Sequence, residues 1–379
     1  MLERSLETRL QKWLGKGKTI VLTGARQVGK TTILKKVFAN AENGLWLNAD
    51  EPQTRDSLEI NNLEDLKLIV GNKKLLVIDE IQRVKNAGLL LKLLTDNFKD
   101  LQVVATGSSA LEISDSIFEP LTGRHFLFHL YPLTTKELYA SSSPFEIQQQ
   151  LSFHLVYGYY PEISIQRAIA EELLKNIAGQ YLYKDVLIWK DLRKPQLLDQ
   201  LLKLLAYQIG SEVSIHELAK TLRVKSETIE SYIDLLEKSF VIFRLKALSN
   251  NPRKEISKMS KIYFWDCGIR NAVIGDFREL KIRTDQGALF ENLVVADRMK
   301  YKVHHGISNS SYFWRNMNGS EVDYIEVEHE TINAYEIKYN MLKNHKVTRA
   351  FTNSYPTANP FVITPKNAGL FQLSYKFME

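Results

Sequence analysis

Gly24-Ala25-Arg26-Gln27-Val28-Gly29-Lys30-Thr31 has the residue types and spacing of a loop that cradles a triphosphate. A triphosphate needs many donors close to its oxygens. Gly24 and Gly29 let the backbone turn tightly and aim its N–H groups inward. The helix that starts at this point, Thr32 to Ala39, adds the positive end of its dipole. Lys30 is expected on the β- and γ-phosphates, the Thr31 hydroxyl on Mg²⁺, and Thr32 beside it at the helix start. The apolar stretch Thr19 to Leu22 supplies the strand such a loop must follow. The expected ligand is a nucleoside triphosphate, ATP, with Mg²⁺.

Two further segments extend this chemistry. Leu75-Leu76-Val77-Ile78-Asp79-Glu80 is an apolar strand ending in two carboxylates. Asp79 can hold Mg²⁺ through water, and Glu80 can polarise the attacking water as general base. Val103-Val104-Ala105-Thr106-Gly107-Ser108-Ser109 ends in hydroxyls, and Thr106 or Ser108 is expected to sense the γ-phosphate. Arg124 is a candidate for stabilising transition-state charge, either in its own subunit or in a neighbour of a homo-oligomer. Thr23 to Lys30, Ile78-Asp79-Glu80-Ile81-Gln82 and Thr106 to Ser109 resemble AAA+ ATPases. They are similar in particular to a prokaryotic family with a C-terminal domain of uncharacterised function. Tyr159-Tyr160-Pro161-Glu162 and Ile262-Tyr263-Phe264-Trp265-Asp266-Cys267-Gly268-Ile269-Arg270 fit that family too. Cys267 stands where proline is expected, and Trp265 where a smaller residue is.

A second constellation lies near the C-terminus. Glu291 falls in an amphipathic helix expected over Gln286 to Met299, and Asp323 on a strand from Ser320 to Val327. Glu336-Ile337-Lys338 lies on a strand from Ile332 to Tyr339. Residues two apart on a strand share a face, so Glu336 and Lys338 project together. Helix Glu, strand Asp, strand Glu-x-Lys resembles the PD-(D/E)XK nucleases. In that chemistry Asp323, Glu336 and Glu291 bind Mg²⁺, and Lys338 positions water or neutralises the scissile phosphate. Val322 stands where proline is usual.

The elements that position these residues are of three kinds. Residues 1–140 alternate buried-type strands with leucine-periodic helices such as Ala87 to Phe98, the mark of a parallel α/β layer. Residues 141–194 read as a helical connector broken at Gly158-Tyr159-Tyr160-Pro161. Residues 195–260 read as a winged-helix module, with the helix pair Ser214 to Leu222 and Ser226 to Lys238. Its expected wing carries Arg253, Lys254, Lys258 and Lys261. Residues 261–379 are expected to form an α/β nuclease-like domain.

Composition bounds the rest. The chain has 379 residues, 44% of them hydrophobic, enough for two or three cores. A single cysteine, Cys267, excludes a disulfide-stapled fold and favours a reducing, cytoplasmic setting. No apolar run is long enough to span a membrane. The net charge of +6 permits nucleic-acid binding without requiring it. Two functions follow. One is a Mg²⁺-dependent ATPase coupled to a winged helix and a nuclease-like domain acting on DNA. The other is a nucleotide-switched signalling or scaffold protein whose C-terminal domain is a catalytically inactive platform for a protein partner.

Overall fold

The computed structural model describes residues 2–39, 41, 43–59, 62–107, 118–187, 195–249, 260–340 and 345–374, with backbone alone for 180–187. They form two compact units. One holds Glu3–Tyr131 with Lys238–Phe240, the other Pro132–Glu237 with Val241 onward.

In the first unit, β1 (Thr19–Gly24), β2 (Gly44–Asn48), β3 (Leu75–Asp79), β4 (Gln102–Gly107) and β5 (His125–Leu130) build a sheet. Its order is β2-β3-β4-β1-β5, and every pairing is parallel. All six residues of β1 are buried, which is why its sequence runs apolar without alternation. The Ala87–Asn97 helix packs Leu90, Leu91 and Leu94 into a core with Ile78, Val103 and Ala105. Strand β4 stands between β1 and β3. The carboxyl ends of β1, β3 and β4 therefore line one edge of the sheet, where ligands of open α/β sheets bind.

The second unit contains a seven-stranded sheet in the order β12-β11-β10-β9-β7-β8-β6 among the described residues. Its strands are β6 (Glu212–Val213), β7 (Ile242–Ala247), β8 (Ser260–Phe264), β9 (Ser310–Arg315), β10 (Glu321–Glu328), β11 (Thr331–Ile337) and β12 (Asn359–Ile363). Strands β7 and β9 pair in parallel, Lys246 opposite Tyr312, and Leu248 N–H donates to Phe313 O at 2.7 Å. Apart from Lys238–Phe240, the segments expected as connector, winged helix and nuclease-like domain fall in the second unit, and its sheet crosses position 260.

Two family-like phrases meet in this unit. The Pro144–Tyr157 helix, opened by a Ser143–Glu146 capping box, stops at Gly158 with φ 73°. A Cβ on Gly158 would stand 2.0 Å from Asp266 Oδ1. Asp266 accepts from Tyr159 N–H at 2.6 Å and caps the Cys267–Ile274 helix through Ile269 N–H at 3.2 Å. Asn271 then donates to the carbonyls of Leu155 and Val156. Cys267 is buried, and burial followed by the Asp266 charge pushes its thiol up to about 12, so it is not a nucleophile.

The Gln286–His305 helix runs six residues beyond its expected end at Met299. Lys300 and Lys302 interrupt the apolar period in sequence, yet both are buried, and Gly306 in the left-handed region closes the helix. No helix among the described residues is long and apolar enough to cross a membrane.

Candidate functional site

The phosphate loop links the end of β1 to the Lys30–Val37 helix. Gly24 sits against β5, where a Cβ would lie 2.1 Å from Leu130 O, so no side chain fits. Gly29 has φ 96° and Gln27 φ 60°, the turn that aims backbone N–H groups into one concavity. Lys30 is 6% exposed and donates to Gly24 O at 3.0 Å and Ala25 O at 2.8 Å. Its ammonium lies within the loop. Ala25 and Val28 are buried, Arg26 and Gly29 half-buried, and Gln27 and Thr32 exposed.

Thr31 Oγ1 donates to Asp79 Oδ2 at 2.8 Å. Thr106 Oγ1 donates to the other oxygen, Oδ1, and itself accepts from Glu80 N–H at 3.2 Å. The helix start after β1, the end of β3 and the end of β4 are thus joined through one carboxylate. All four residues stand in the sequence motifs, and the strand order brings them together. Thr31 Oγ1 and Asp79 are adjacent hard oxygen donors, which fits a Mg²⁺ ion with its waters. Glu80 is half-buried at φ 56°, and Gln82 Nε2 donates to its Oε2. Ser108 lies outside the described residues.

Arg124 is elsewhere. It precedes β5, whose first residue pairs with Thr19, and Thr19 N–H donates to Arg124 O at 2.9 Å. Thr19 begins β1, whereas the phosphate loop leaves from its far end. Strand rise separates those edges by about 17 Å. Arg124 instead pairs with Asp96 at 2.7 Å. The expectation that it acts on its own subunit's nucleotide is corrected by this parallel register. A different arginine is at the loop. Arg4, 8% exposed, donates to Val28 O at 2.6 Å and Tyr131 O at 2.7 Å. No motif marks it. Gln82 had a signal only in the phrase Ile78 to Gln82.

In the second unit the C-terminal acids do converge, but with two lysines among them. Lys338 Nζ lies 3.0 Å from Asp323 Oδ2 and 2.9 Å from Glu336 Oε1. Lys261, 1% exposed on β8, pairs with Glu291 at 3.0 Å, with Glu321, and with Asp323 at 3.9 Å. Tyr263 OH donates to Glu291 at 2.7 Å, and Ile337 N–H to Asp323 at 2.7 Å. Burial, then the Asp323 charge, raises both Glu291 and Glu336, with the lysines opposing. Among the described residues, no three His, Cys, Asp or Glu side chains are arranged to hold a metal. Glu291, Asp323 and Glu336 are therefore not a ready-made three-carboxylate shell, because ammonium groups occupy the space between them. Lys261 also leaves the wing, where sequence reading put it. Arg253, Lys254 and Lys258 lie outside the described residues. Glu321 was missed, although it shares a strand face with Asp323 two residues on.

The middle segment runs helix Pro195–Tyr207, β6, helix Ile215–Leu222, helix Ser226–Lys238, β7, β8. Its strands are antiparallel, β8 central. Ser214 caps the second helix, and Ile229, Ile233 and Leu236 bury one stripe of the third. The opposite face exposes Glu227, Glu230 and Asp234.

Residues 16–139 match the family model of an AAA domain. Residues 148–280 and 286–375 match two domains of unknown function, DUF8612 and DUF4143. The chain is 26% identical to an uncharacterized protein of Methanocaldococcus jannaschii, MJ1544, covering 86% of this chain and 75% of that one. It is 25% identical to an uncharacterized protein of Haemophilus influenzae, covering 85% and 87%. Among solved structures it resembles the Walker-type ATPase PABY2304 of Pyrococcus abyssi. That match has 16% identity and a TM-score of 0.42 over 72% of this chain and 96% of that one. The N-terminal part of this chain is an AAA-type P-loop domain.

Proposed function

We propose that this chain is a Mg²⁺-dependent ATP hydrolase whose second unit acts on DNA. One observation carries the ATPase reading: Thr31, Asp79, Thr106 and the Glu80 backbone are hydrogen-bonded together at the mouth of the phosphate loop. The loop N–H groups and Lys30 bind the β- and γ-phosphates. Thr31 and Asp79 would hold Mg²⁺, which would neutralise charge on the phosphate oxygens. Glu80 takes a proton from the attacking water once its carboxylate leaves Gln82. Thr106 links Asp79 to Glu80 and so registers the γ-phosphate.

The DNA reading is supported by the helix–strand–helix–helix–strand–strand order, which resembles a winged helix. Acidic residues on the third helix oppose it. A second reading, the platform for a protein partner, is favoured by Lys338, which is held by both Asp323 and Glu336. Binding of duplex, branched and single-stranded DNA, measured at low salt with and without ATP, separates the two. A steep fall in affinity with salt supports DNA as partner. Absence of binding to all three supports the platform. ATP turnover that survives Glu80→Gln undiminished would sink the hydrolase mechanism.

A further inference from the structure

The nuclease resemblance reserves the space between Asp323, Glu336 and Glu291 for a divalent cation. A hard divalent ion takes several oxygens at short range, about 2.0–2.6 Å, and tolerates no ammonium inside that shell. The donor set here does not fit that requirement. Lys261 Nζ already meets Glu291, Glu321 and Asp323, and Lys338 Nζ meets Asp323 and Glu336. The oxygens are also committed. Asp323 Oδ2 accepts from Ile337 N–H and Lys338, and Glu291 Oε1 from Lys261 and Tyr263.

Lys261 is the more telling of the two. It is 1% exposed, so its charge sits in the interior, where an unpaired ammonium would be costly. Glu291, Glu321 and Asp323 surround it and compensate that charge. Its neighbour on the same face of β8, Tyr263, donates to the same Glu291 oxygen. The strand therefore delivers a cation and a hydroxyl to one carboxylate on the Gln286–His305 helix.

We propose that Lys261 is the resident cation of this cluster, its ε-ammonium standing where the nuclease chemistry needs a divalent metal. It satisfies Glu291, Glu321 and Asp323 without metal and ties β8 to β10 and the Gln286–His305 helix. The cluster then joins strands and does not cleave phosphodiesters. This inference is separate from the ATPase reading and deepens the platform reading, on which it rests for its biological sense.

Mn²⁺ binding to the nucleotide-free full chain tests it, read from loss of the free-ion electron paramagnetic resonance signal. Wild type is expected to show no bound Mn²⁺ that Asp323→Asn removes. Lys261→Ala, its fold checked by circular dichroism, should gain one Mn²⁺ per chain at Glu291, Glu321 and Asp323 Oδ1, the oxygens that face Lys261, while Lys338 stays on Asp323 Oδ2 and Glu336. Removing the buried like charge should tighten binding about tenfold or more over wild type. Lys261→Ala with Asp323→Asn should return to the wild-type level. Asp323-dependent Mn²⁺ binding by wild type overturns the inference, and so does a folded Lys261→Ala protein with no gain. Where the Lys261 variant fails to fold, the wild-type comparison with Asp323→Asn still decides. No nucleic acid or protein partner is present, so failure of the platform reading, seen as absence of any partner, is a distinct result.

Discussion

On the proposed reading, Lys30 exchanges the Gly24 and Ala25 carbonyls it contacts for phosphate oxygens. Lys30→Ala should cost about 3 kcal/mol of nucleotide binding, roughly a hundredfold in affinity. Calorimetric titration with ATP checks it. Glu80→Gln should keep the affinity and lower turnover by about 10²–10⁴, the usual worth of a positioned general base. Arg4→Ala is expected to leave the Val28 and Tyr131 carbonyls without these donors. That should destabilise the first unit by roughly 1–3 kcal/mol and weaken ATP binding through the loop's shape. The positions of Lys30 in the loop and of Glu80 beside Thr106 were legible because both residues lie in contiguous motifs. Arg4 was not, because it reaches the loop through tertiary folding and no local pattern marks it. Arg124 shows the converse. Its residue type suited catalysis, but strand direction decides which edge it occupies, and direction is not a property of one residue. Lys261 departs from the expected wing for a like reason: burial of a lysine depends on carboxylates from β10 and a distant helix.

At the scale of elements, β1, β3 and β4 were the most legible, because strands buried on both faces advertise themselves as unbroken apolar runs. The Gln286–His305 helix was cut short, since buried lysines disguise its last turns as surface. The Gly158 and Asp266 phrases carry the family resemblance, and their role is architectural: the Asp266 carboxylate meets the chain just after one helix and caps the next. Gly158→Ala would need φ 73° and a Cβ at 2.0 Å from Asp266 Oδ1. It should destabilise the second unit by at least about 2 kcal/mol. Chemical denaturation followed by far-ultraviolet dichroism measures this, and a change under about 0.5 kcal/mol, as expected for an ordinary surface site, would contradict the packing described.

At the scale of the molecule, two compact units with separate cores should respond separately to ligand and pH. Nucleotide binds the first unit. MgATP at about a hundred times its Kd should therefore raise that unit's stability by about 2.7 kcal/mol and move one calorimetric transition. The second unit carries a histidine that makes its stability acid-sensitive. His154 is 1% exposed, with Nδ1 2.8 Å from Gly158 O, Nε2 2.6 Å from Tyr139 OH, and its ring stacked on Tyr159. A neutral imidazole donating from Nδ1 and accepting at Nε2 satisfies both partners. Burial lowers its pKa from 6.5 to about 4; Gly158 O opposes that shift, and Arg167 and Lys300 add to it. A depressed folded-state value means that the unfolded chain takes up the proton first. The resulting stability is present above pH 6.5 and lost as pH falls towards 4. Asp297 acts with the opposite sign, because burial raises it from 3.8 to about 6, so its contribution is lost as pH rises through that range. Comparison with His154→Gln removes this overlap, since Asp297 titrates in both proteins. The variant should be less stable than wild type at pH 7. The gap should narrow by about 2 kcal/mol by pH 4.5, because only wild type carries the histidine's proton linkage. Parallel stability curves between pH 7 and 4.5 would show that His154 is not held neutral in the fold.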